Sequence, residues 1–371
     1  MSGLLVHEWV AEAGGSENVL HQFAELYPDA DIQVLWSDDP TRFPRKVYDT
    51  WLARSPLRRH KALSVPFLPI TWRLLTAHRD YDWMLVSSHM FAHHIRLTNA
   101  PDLAKLVYCH TPARYIWSPE IDPRGAGQFA RFASKFLKPI DRRRAGEATD
   151  VAANSEFTRA RVQNAWQRDA RIIYPPVDTE RIQSHGRWSE SVQPEELSVL
   201  EKLPDEFVLG ASRFVPYKRL DLVIEAGEAM GLPVVIAGSG PLQEELRLQA
   251  STATVPVTIV DRPSDEMLFS LYQAAVAYVF PAVEDFGIMP VEAMAAGCPV
   301  IVPAVGGAAE TAKLLSGGAL MDAFGRQEWR SALGEATSVD RSRLQERATV
   351  MSCTRFRAEV AHWVREQAGA D

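Results

Sequence analysis

Short runs of β-branched and aliphatic residues alternate with helix-period stretches along most of this chain, and that alternation leaves few folds open. In the second half "FVLGASRF" (207–214), "PVVIAG" (233–238), "VPVTIV" (255–260), "AVAYVF" (275–280) and "PVIVPA" (299–304) read as buried strands. Between the first two, Leu220, Val223, Ile224 and Gly227 recur at helical spacing, and further helices are expected at about 241–250 and 264–273. The first half repeats the pattern with "LLVHE" (4–8), "DIQVLW" (31–36), "WMLVSS" (83–88), "KLVYCH" (105–110), "VAANS" (151–155) and "RIIYPP" (171–176). Strand, helix and strand in series mean a parallel sheet covered on both faces. At 371 residues the chain is too long for one ordinary core. The expectation is therefore an α/β chain with two nucleotide-fold-like lobes and a cleft. The strandless stretch 178–205 would serve as hinge, and "TRFRAEVAHWVREQ" (354–367) as a final amphipathic helix.

Composition narrows the class. Hydrophobic residues at 46% and charged residues at 23% suit a packed enzyme or binding protein rather than a disordered chain. Cys109, Cys298 and Cys353 are odd in number and far apart, so they form neither a disulfide framework nor a CxxC metal site. Glu8 and Glu12 interrupt any signal-peptide pattern, and no apolar run approaches the roughly 18 residues of a membrane span. A cytoplasmic setting is expected.

Charge is distributed unevenly. Residues 1–150 hold 19 Lys and Arg against 17 Asp and Glu, leaving 21 against 30 for the remainder. From 42 to 79, Arg42, Arg45, Lys46, Arg54, Arg58, Arg59, Lys61, Arg73 and Arg79 meet one acid, Asp49, and interleave with Trp51, Leu52, Leu57, Phe67, Leu68 and Trp72. Such a segment suits either a functional face, seated on anionic lipid headgroups or receiving a phosphate-bearing acceptor, or a solvated basic surface over an aromatic core. A second cluster, Arg131, Lys135, Lys138, Arg142, Arg143 and Arg144, carries the same two readings. No nucleic acid partner is expected, because the chain is acidic overall and has no recognition module.

In parallel α/β sheets ligands gather at the carboxyl ends of strands. Arg213 ends the first strand of the second half and Lys218 opens the next helix, an Arg/Lys pair suited to a diphosphate. The following strand ends in "GSGP", where Gly238 and Gly240 let a ligand approach the backbone; Gln243 stands where a dinucleotide fingerprint needs glycine. Then comes "VEDFGIMPVEAMAAGCPVIVPAVGG" (283–307), with Glu284 in a loop and Glu292 in the first turn of a helix that Pro290 opens and Gly297 closes. Gly287, Ile288 and Met289 expose amides at the positive end of that helix. Ionised carboxylates accept hydrogen bonds from hydroxyls. Two of them beside an Arg/Lys pair fit a ligand with hydroxyls at both ends and a diphosphate between, a nucleotide sugar.

With these motifs the sequence resembles the retaining glycosyltransferases of family 4, enzymes of the GT-B architecture. The resemblance runs through "GGSENVL" (14–20), "CHTPARYIW" (109–117), "ANSEFTR" (153–159), "IYPPVD" (173–178), "SRFVPYKRLDLVIEA" (212–226), "GSGP", the E-x7-E stretch and "GGAAET" (306–311). It implies two Rossmann-like domains facing each other across a cleft. Residues 1–180 would bind the acceptor, with 355–371 returning to pack on them, and 181–354 would bind the nucleotide sugar. Arg213 and Lys218 would hold the donor diphosphate, Glu292 the ribose and Glu284 the transferred sugar, with Phe286, Gly287 and Ile288 closing on sugar and phosphate. Gly14 and Gly15 would face the diphosphate, His110 would contact the sugar near the reacting carbon, and Tyr115 and Trp117 would stack on the acceptor.

The resemblance also implies transfer with retention and without a metal cofactor. The motifs "CHTPARYIW" and "EDFGI" look most like a mannosyltransferase-type branch of bacterial polysaccharide synthesis. They point to a donor such as GDP-mannose and to a glycan acceptor, and the basic and aromatic 42–79 segment adds the expectation of a polyprenyl-diphosphate-linked one and of peripheral membrane association. The triplets Asp29/Asp31 and Asp80/Asp82 precede strands, at the wrong end of the sheet for a metal, and His89, His93 and His94 lack an accompanying carboxylate motif. Rival readings are a nucleotide-sugar epimerase of the same fold, which needs no acceptor, a glucan phosphorylase, for which Lys313 is poorly set, and a non-catalytic sugar-nucleotide-binding protein.

Overall fold

The computed structural model describes residues 2–11, 14–39, 41–118 and 128–369, without the side chains of 62 and 128–133; Glu12 and the Arg131 side chain lie outside the described set. The chain divides into two compact units, residues 1–176 with 354–371, and residues 177–353.

The first unit is built on a seven-stranded parallel sheet in the order Val47–Tyr48, Asp31–Gln33, Gly3–His7, Trp83–Ser88, Ala104–Cys109, Asp150–Ala153 and Arg171–Ile172. Successive strand residues face opposite sides of a sheet. Leu4, Val6, Met84 and Val86 join a core with Trp72 and Trp166 on one side. Leu5, Leu85, Leu106 and Tyr108 join Phe23 and Trp363 on the other. Both sides are covered, which is why these strands read as unbroken apolar runs rather than alternating ones.

The second unit has a six-stranded parallel sheet in the order Val257–Asp261, Val234–Gly238, Val208–Ala211, Ala277–Val279, Val300–Pro303 and Gly318–Met321. Its last strand, "GALM", and the edge strand Val47–Tyr48 of the first sheet were not expected from the sequence. The stretch 178–205, expected as a hinge, is folded into this unit with three short helices; the Trp188 indole donates to the Ile182 carbonyl at 2.8 Å and packs on Phe269.

The last helix, Cys353–Ala368, belongs to the first unit from Thr354 onward. Phe356 stacks on Phe23 with ring centroids 5.7 Å apart, and the Trp363 indole donates to Asp150 at 2.9 Å. The last helix therefore fills a core laid down more than 200 positions earlier at the Trp363–Asp150 bond, and more than 300 at the Phe356–Phe23 stack.

Each sheet has a switch point, where the strand order reverses. In the first it lies between Gly3–His7 and Trp83–Ser88, and in the second between Val208–Ala211 and Ala277–Val279. The crevice beyond the carboxyl ends at such a point is where open α/β sheets bind ligands.

Candidate active site

In the second unit the switch point is furnished by the two loops that leave Val208–Ala211 and Ala277–Val279. Residues 216–218 form one 3-10 turn and the α-helix begins only at Asp221, so Lys218 precedes that helix instead of opening it. Lys218 is buried, its Nζ 2.6 Å from Glu284 Oε1 and 5.0 Å from the centre of the Phe280 ring. Arg213 is exposed and donates to the Tyr217 hydroxyl at 3.0 Å. The loops thus present one seated ammonium and one accessible guanidinium, a combination that attracts and orients a diphosphate.

Glycines shape both loops. A Cβ on Gly238 would fall 1.9 Å from the Ser212 carbonyl oxygen, and one on Gly240 would fall 2.6 Å from that of Phe214. Their φ angles of 137° and 153° are also ones that L side chains rarely adopt. "GSGP" therefore lets the 212–214 segment lie against it, which sets the path of the chain through Arg213. Gly307 plays the same part for the second loop: its N–H donates to the Glu284 carbonyl at 2.8 Å, and a Cβ there would sit 2.3 Å from the Asp285 carbonyl oxygen.

The helix expected to open at Pro290 runs Ile288–Ala295 and begins at Gly287, whose φ is 83°. Pro290 is its third residue, and Glu292 falls in the second turn rather than the first, away from the strongest part of the helix dipole. Burial, with a smaller contribution from Asp265, pushes the Glu292 carboxyl up to about 7. Phe286 and Gly287 are buried and Ile288 is half-buried at the start of this helix.

The first unit gathers a different set. Gly14 precedes the helix Gly15–Leu26, and its carbonyl accepts from Asn18 N–H at 3.2 Å. His110 follows the strand Ala104–Cys109, half-buried, with Nε2 2.8 Å from Ser87 Oγ. Burial first, then His89 and His7, hold its pKa well below the ordinary value. Tyr115 packs edge-on against Phe91. The Trp117 indole donates to Asp141 at 2.7 Å, and Lys138 and Arg142 lie 5.2 and 5.5 Å from the ring centre.

Sequence reasoning missed His7, Glu8 and Ser87. Glu8 is fully buried and accepts from the N–H groups of Met90 and Ala92 at 2.8 Å each, while His89 Nδ1 lies 3.3 Å away. Burial opposes its ionisation, but His89, His7 and those N–H groups outweigh it and lower the pKa. Applying the carboxyl-end rule to "LLVHE" would have flagged both His7 and Glu8.

Two groups among the described residues, one buried but for the half-buried His89 and one fully buried, have the side chains of a metal site, His7/Glu8/His89 and His93/His94/Asp141. The second is already committed. Asp141 accepts from His94 at 2.8 Å and from the indoles of Trp117 and Trp166 at 2.7 and 2.8 Å, and the Arg144 guanidinium lies 3.0 Å from His94 Nδ1. A cation there would meet Arg144. The Asp31 carboxylate of the first DxD triplet is likewise engaged, by Arg79 at 2.8 Å and Tyr81 at 2.7 Å.

Known proteins resemble this chain in sequence and in fold. The family described as "Glycosyltransferase Family 4" matches residues 13–181, and "Glycosyl transferases group 1" matches residues 193–348. A D-rhamnosyltransferase, WbpZ, of Pseudomonas aeruginosa is 31% identical over 185 residues, 47% of this chain and 43% of that protein. A GDP-mannose-dependent alpha-(1-6)-phosphatidylinositol monomannoside mannosyltransferase of Mycobacterium tuberculosis is 31% identical over 220 residues, 54% of this chain and 56% of that protein. The chain thus spans about half the length of these curated relatives. Among solved structures, sucrose-phosphate synthase of Thermosynechococcus elongatus superposes with a TM-score of 0.74 over all of both chains at 17% identity. Anabaena HepE in complex with UDP gives 0.70 over 99% of this chain and 100% of that one, at 19% identity. The fold is that of the GT-B enzymes, and the chain belongs to glycosyltransferase family 4.

Proposed function

We propose that the protein is a glycosyltransferase that moves a hexose, mannose in our reading, from a nucleoside-diphosphate sugar to a hydroxyl of a glycan or polyprenyl-diphosphate-linked acceptor. The observation that carries this is the Lys218–Glu284 pair at the second switch point, with Arg213 beside it. A diphosphate entering there meets two cations, and the carboxylate that seats Lys218 is free to take a sugar hydroxyl when the ammonium turns to phosphate. Charge grows on the leaving diphosphate as the glycosidic bond breaks, so fixed cations stabilise the transition state more than the ground state. Glu292 would accept from the ribose hydroxyls, and the backbone at 286–288 would close over phosphate and sugar. Retention fits attack by the acceptor on the face the diphosphate leaves, with that phosphate taking the proton; Arg213 and Lys218 make a metal unnecessary in this scheme. The GDP-mannose-dependent mannosyltransferase relative supports a GDP-sugar donor, and the HepE complex with UDP-glucose supports a nucleotide sugar in general.

A lipid-linked acceptor has support of its own. Leu63, Phe67, Ile70 and Leu74 are exposed at roughly helical spacing along the short turns of 61–74, with Trp51 nearby and Phe136 and Ile140 exposed on the helix Gln128–Ala145. That helix touches the first segment through Arg144, which donates to the Pro69 carbonyl at 2.6 Å. No helix among the described residues is long and apolar enough to cross a membrane. An apolar face bordered by Arg54, Arg59, Lys61 and Lys135 suits peripheral docking at the inner face of a bilayer.

The test is a thermal-shift panel with GDP, UDP, dTDP and ADP and their sugar conjugates, with and without EDTA. A ligand at 100 times its Kd stabilises by about 2.7 kcal/mol. Stabilisation by GDP and GDP-mannose that survives EDTA is expected. Stabilisation by none of the nucleotides would sink the reading.

A further inference from the structure

Three imidazoles meet at the carboxyl edge of the first sheet. His7 ends Gly3–His7, His89 follows Trp83–Ser88, and His110 follows Ala104–Cys109. One buried hydroxyl joins two of them: Ser87 Oγ lies 3.0 Å from His7 Nδ1 and 2.8 Å from His110 Nε2. His7 Nδ1 also lies 3.2 Å from the Ser87 carbonyl oxygen.

These contacts fix where the protons sit. A carbonyl oxygen only accepts, so the hydrogen shared with His7 belongs to Nδ1. The reverse arrangement would set the Nδ1 lone pair against the carbonyl lone pairs. That N–H also points a donor at Ser87 Oγ; if Oγ used its second lone pair to accept from His110 as well, its own buried hydrogen would have no acceptor, since the two imidazoles are its partners among the described residues. The hydroxyl hydrogen is left for His110 Nε2, which accepts it. A neutral imidazole that accepts at Nε2 carries its own hydrogen at Nδ1.

We infer that Ser87, itself oriented by His7, is a positioning residue that holds His110 as a neutral Nδ1–H hydrogen-bond donor, for a hydroxyl of the transferred sugar. This rests on the reading of His110 as a sugar contact and sharpens it: His110 gives a hydrogen bond and is not the base that removes the acceptor's proton.

The surrounding charges agree. Glu8 and Glu17 favour protonation of His7, but burial and His89 prevail and bring it down to about 4. Around His110 the neighbouring groups are His89, at a ring distance of 6.4 Å, His7 across Ser87, and the Tyr108 ring at 5.1 Å. None supplies a negative charge that would keep a second proton on its ring.

The experiment is two-bond 15N–1H correlation NMR on protein labelled at histidine, from pH 5.5 to 8, with His110→Asn to assign the signal. Expected is a His110 with its proton at Nδ1 and no titration in that range. A proton at Nε2 in the wild type, or titration near 6.5, overturns the inference whatever the enzyme does. In Ser87→Ala, His110 should populate both tautomers. The affinity advantage of GDP-mannose over GDP should shrink by about 2–10-fold, the worth of one hydrogen bond, with GDP itself bound as before. A locked His110 in the wild type together with an unchanged advantage in both Ser87→Ala and His110→Asn would overturn the sugar-contact reading and leave the proton assignment standing. Failure of GDP and GDP-mannose to bind would overturn the donor reading alone, since the NMR result needs no ligand.

Discussion

Lys218 Nζ and Glu284 Oε1 stand 2.6 Å apart, joining two loops that leave adjacent strands at the point where the second sheet reverses its strand order. The pair is partly buried, so removal of either member leaves a charge without its partner. Lys218→Ala is expected to lower turnover by about 10²–10³-fold, the cost of deleting one preorganised charge from a transition state. Glu284→Gln should keep nucleotide binding but lose discrimination between nucleotide sugar and free nucleotide. Calorimetry with both ligands checks this, and equal losses for the two would show that Glu284 acts only by seating Lys218.

Glu292 makes stability depend on pH. Its folded pKa, about 7, lies above its ordinary 4.5, so the folded state holds a proton that the unfolded chain releases. The stabilisation is complete below the unfolded value and is lost as pH rises through 7. Between pH 5 and 8 the melting temperature of the ligand-free wild type should therefore fall relative to Glu292→Gln. Parallel melting curves for the two proteins would show that the carboxyl titrates normally.

Glycine substitutions separate loop shape from backbone strain. Gly231 has φ 74° with nothing within 4 Å of an added Cβ, so Gly231→Ala should cost only the left-handed conformation, about 1–2 kcal/mol. Gly238→Ala adds an overlap with the Ser212 carbonyl oxygen and must move the segment that carries Arg213. Its melting point should drop further, and nucleotide affinity should fall with it. If both variants lose the same stability and bind nucleotide equally, the close approach at 238 does not shape the site.

Much of this was legible in the sequence, for a physical reason. Strands buried on both faces print unbroken apolar runs, so "WMLVSS" and "PVVIAG" stood out, and turn residues after them located Arg213, Lys218 and Glu284. The final strand Gly318–Met321 escaped because four residues beginning with glycine give neither period nor length. Strand order is a matter of pairing between distant segments, which no local pattern reports, so the switch points were invisible. The His7–Ser87–His110 group was hidden for the same reason: His7 and Ser87 are 80 positions apart and adjacent only through strand register. Helix ends were the weakest part, and Glu292 moved from first turn to second because Gly287, with its positive φ, starts the helix where Pro290 was expected to.

The basic segment 42–79 divides, in the structure, into used and unused charges. Arg45 donates to the carbonyls of Tyr27 and Ala24, Arg58 to Asp38, Arg73 to Glu147 and Arg79 to Asp31, so these serve the fold. Arg54, Arg59 and Lys61 remain exposed beside Leu63, Phe67, Ile70 and Leu74, and Lys61 lies 4.7 Å from the Trp9 ring centre. If this face docks on lipid, its apolar side chains and not its net charge decide the residence time, because each exposed leucine or phenylalanine that leaves water contributes about 1.5–3 kcal/mol while a surface charge contributes about 1 kcal/mol. The variant Leu63→Ser/Phe67→Ser/Ile70→Ser should fold, since all three are exposed, and should lose co-sedimentation with vesicles of anionic lipid at physiological salt. Reversal of the charges at Arg54 and Arg59 should weaken binding mainly at low salt. Binding that disappears with the charges but survives the triple serine variant would mark the face as a nonspecific basic surface, and a wild type that never sediments would remove the membrane from the account altogether.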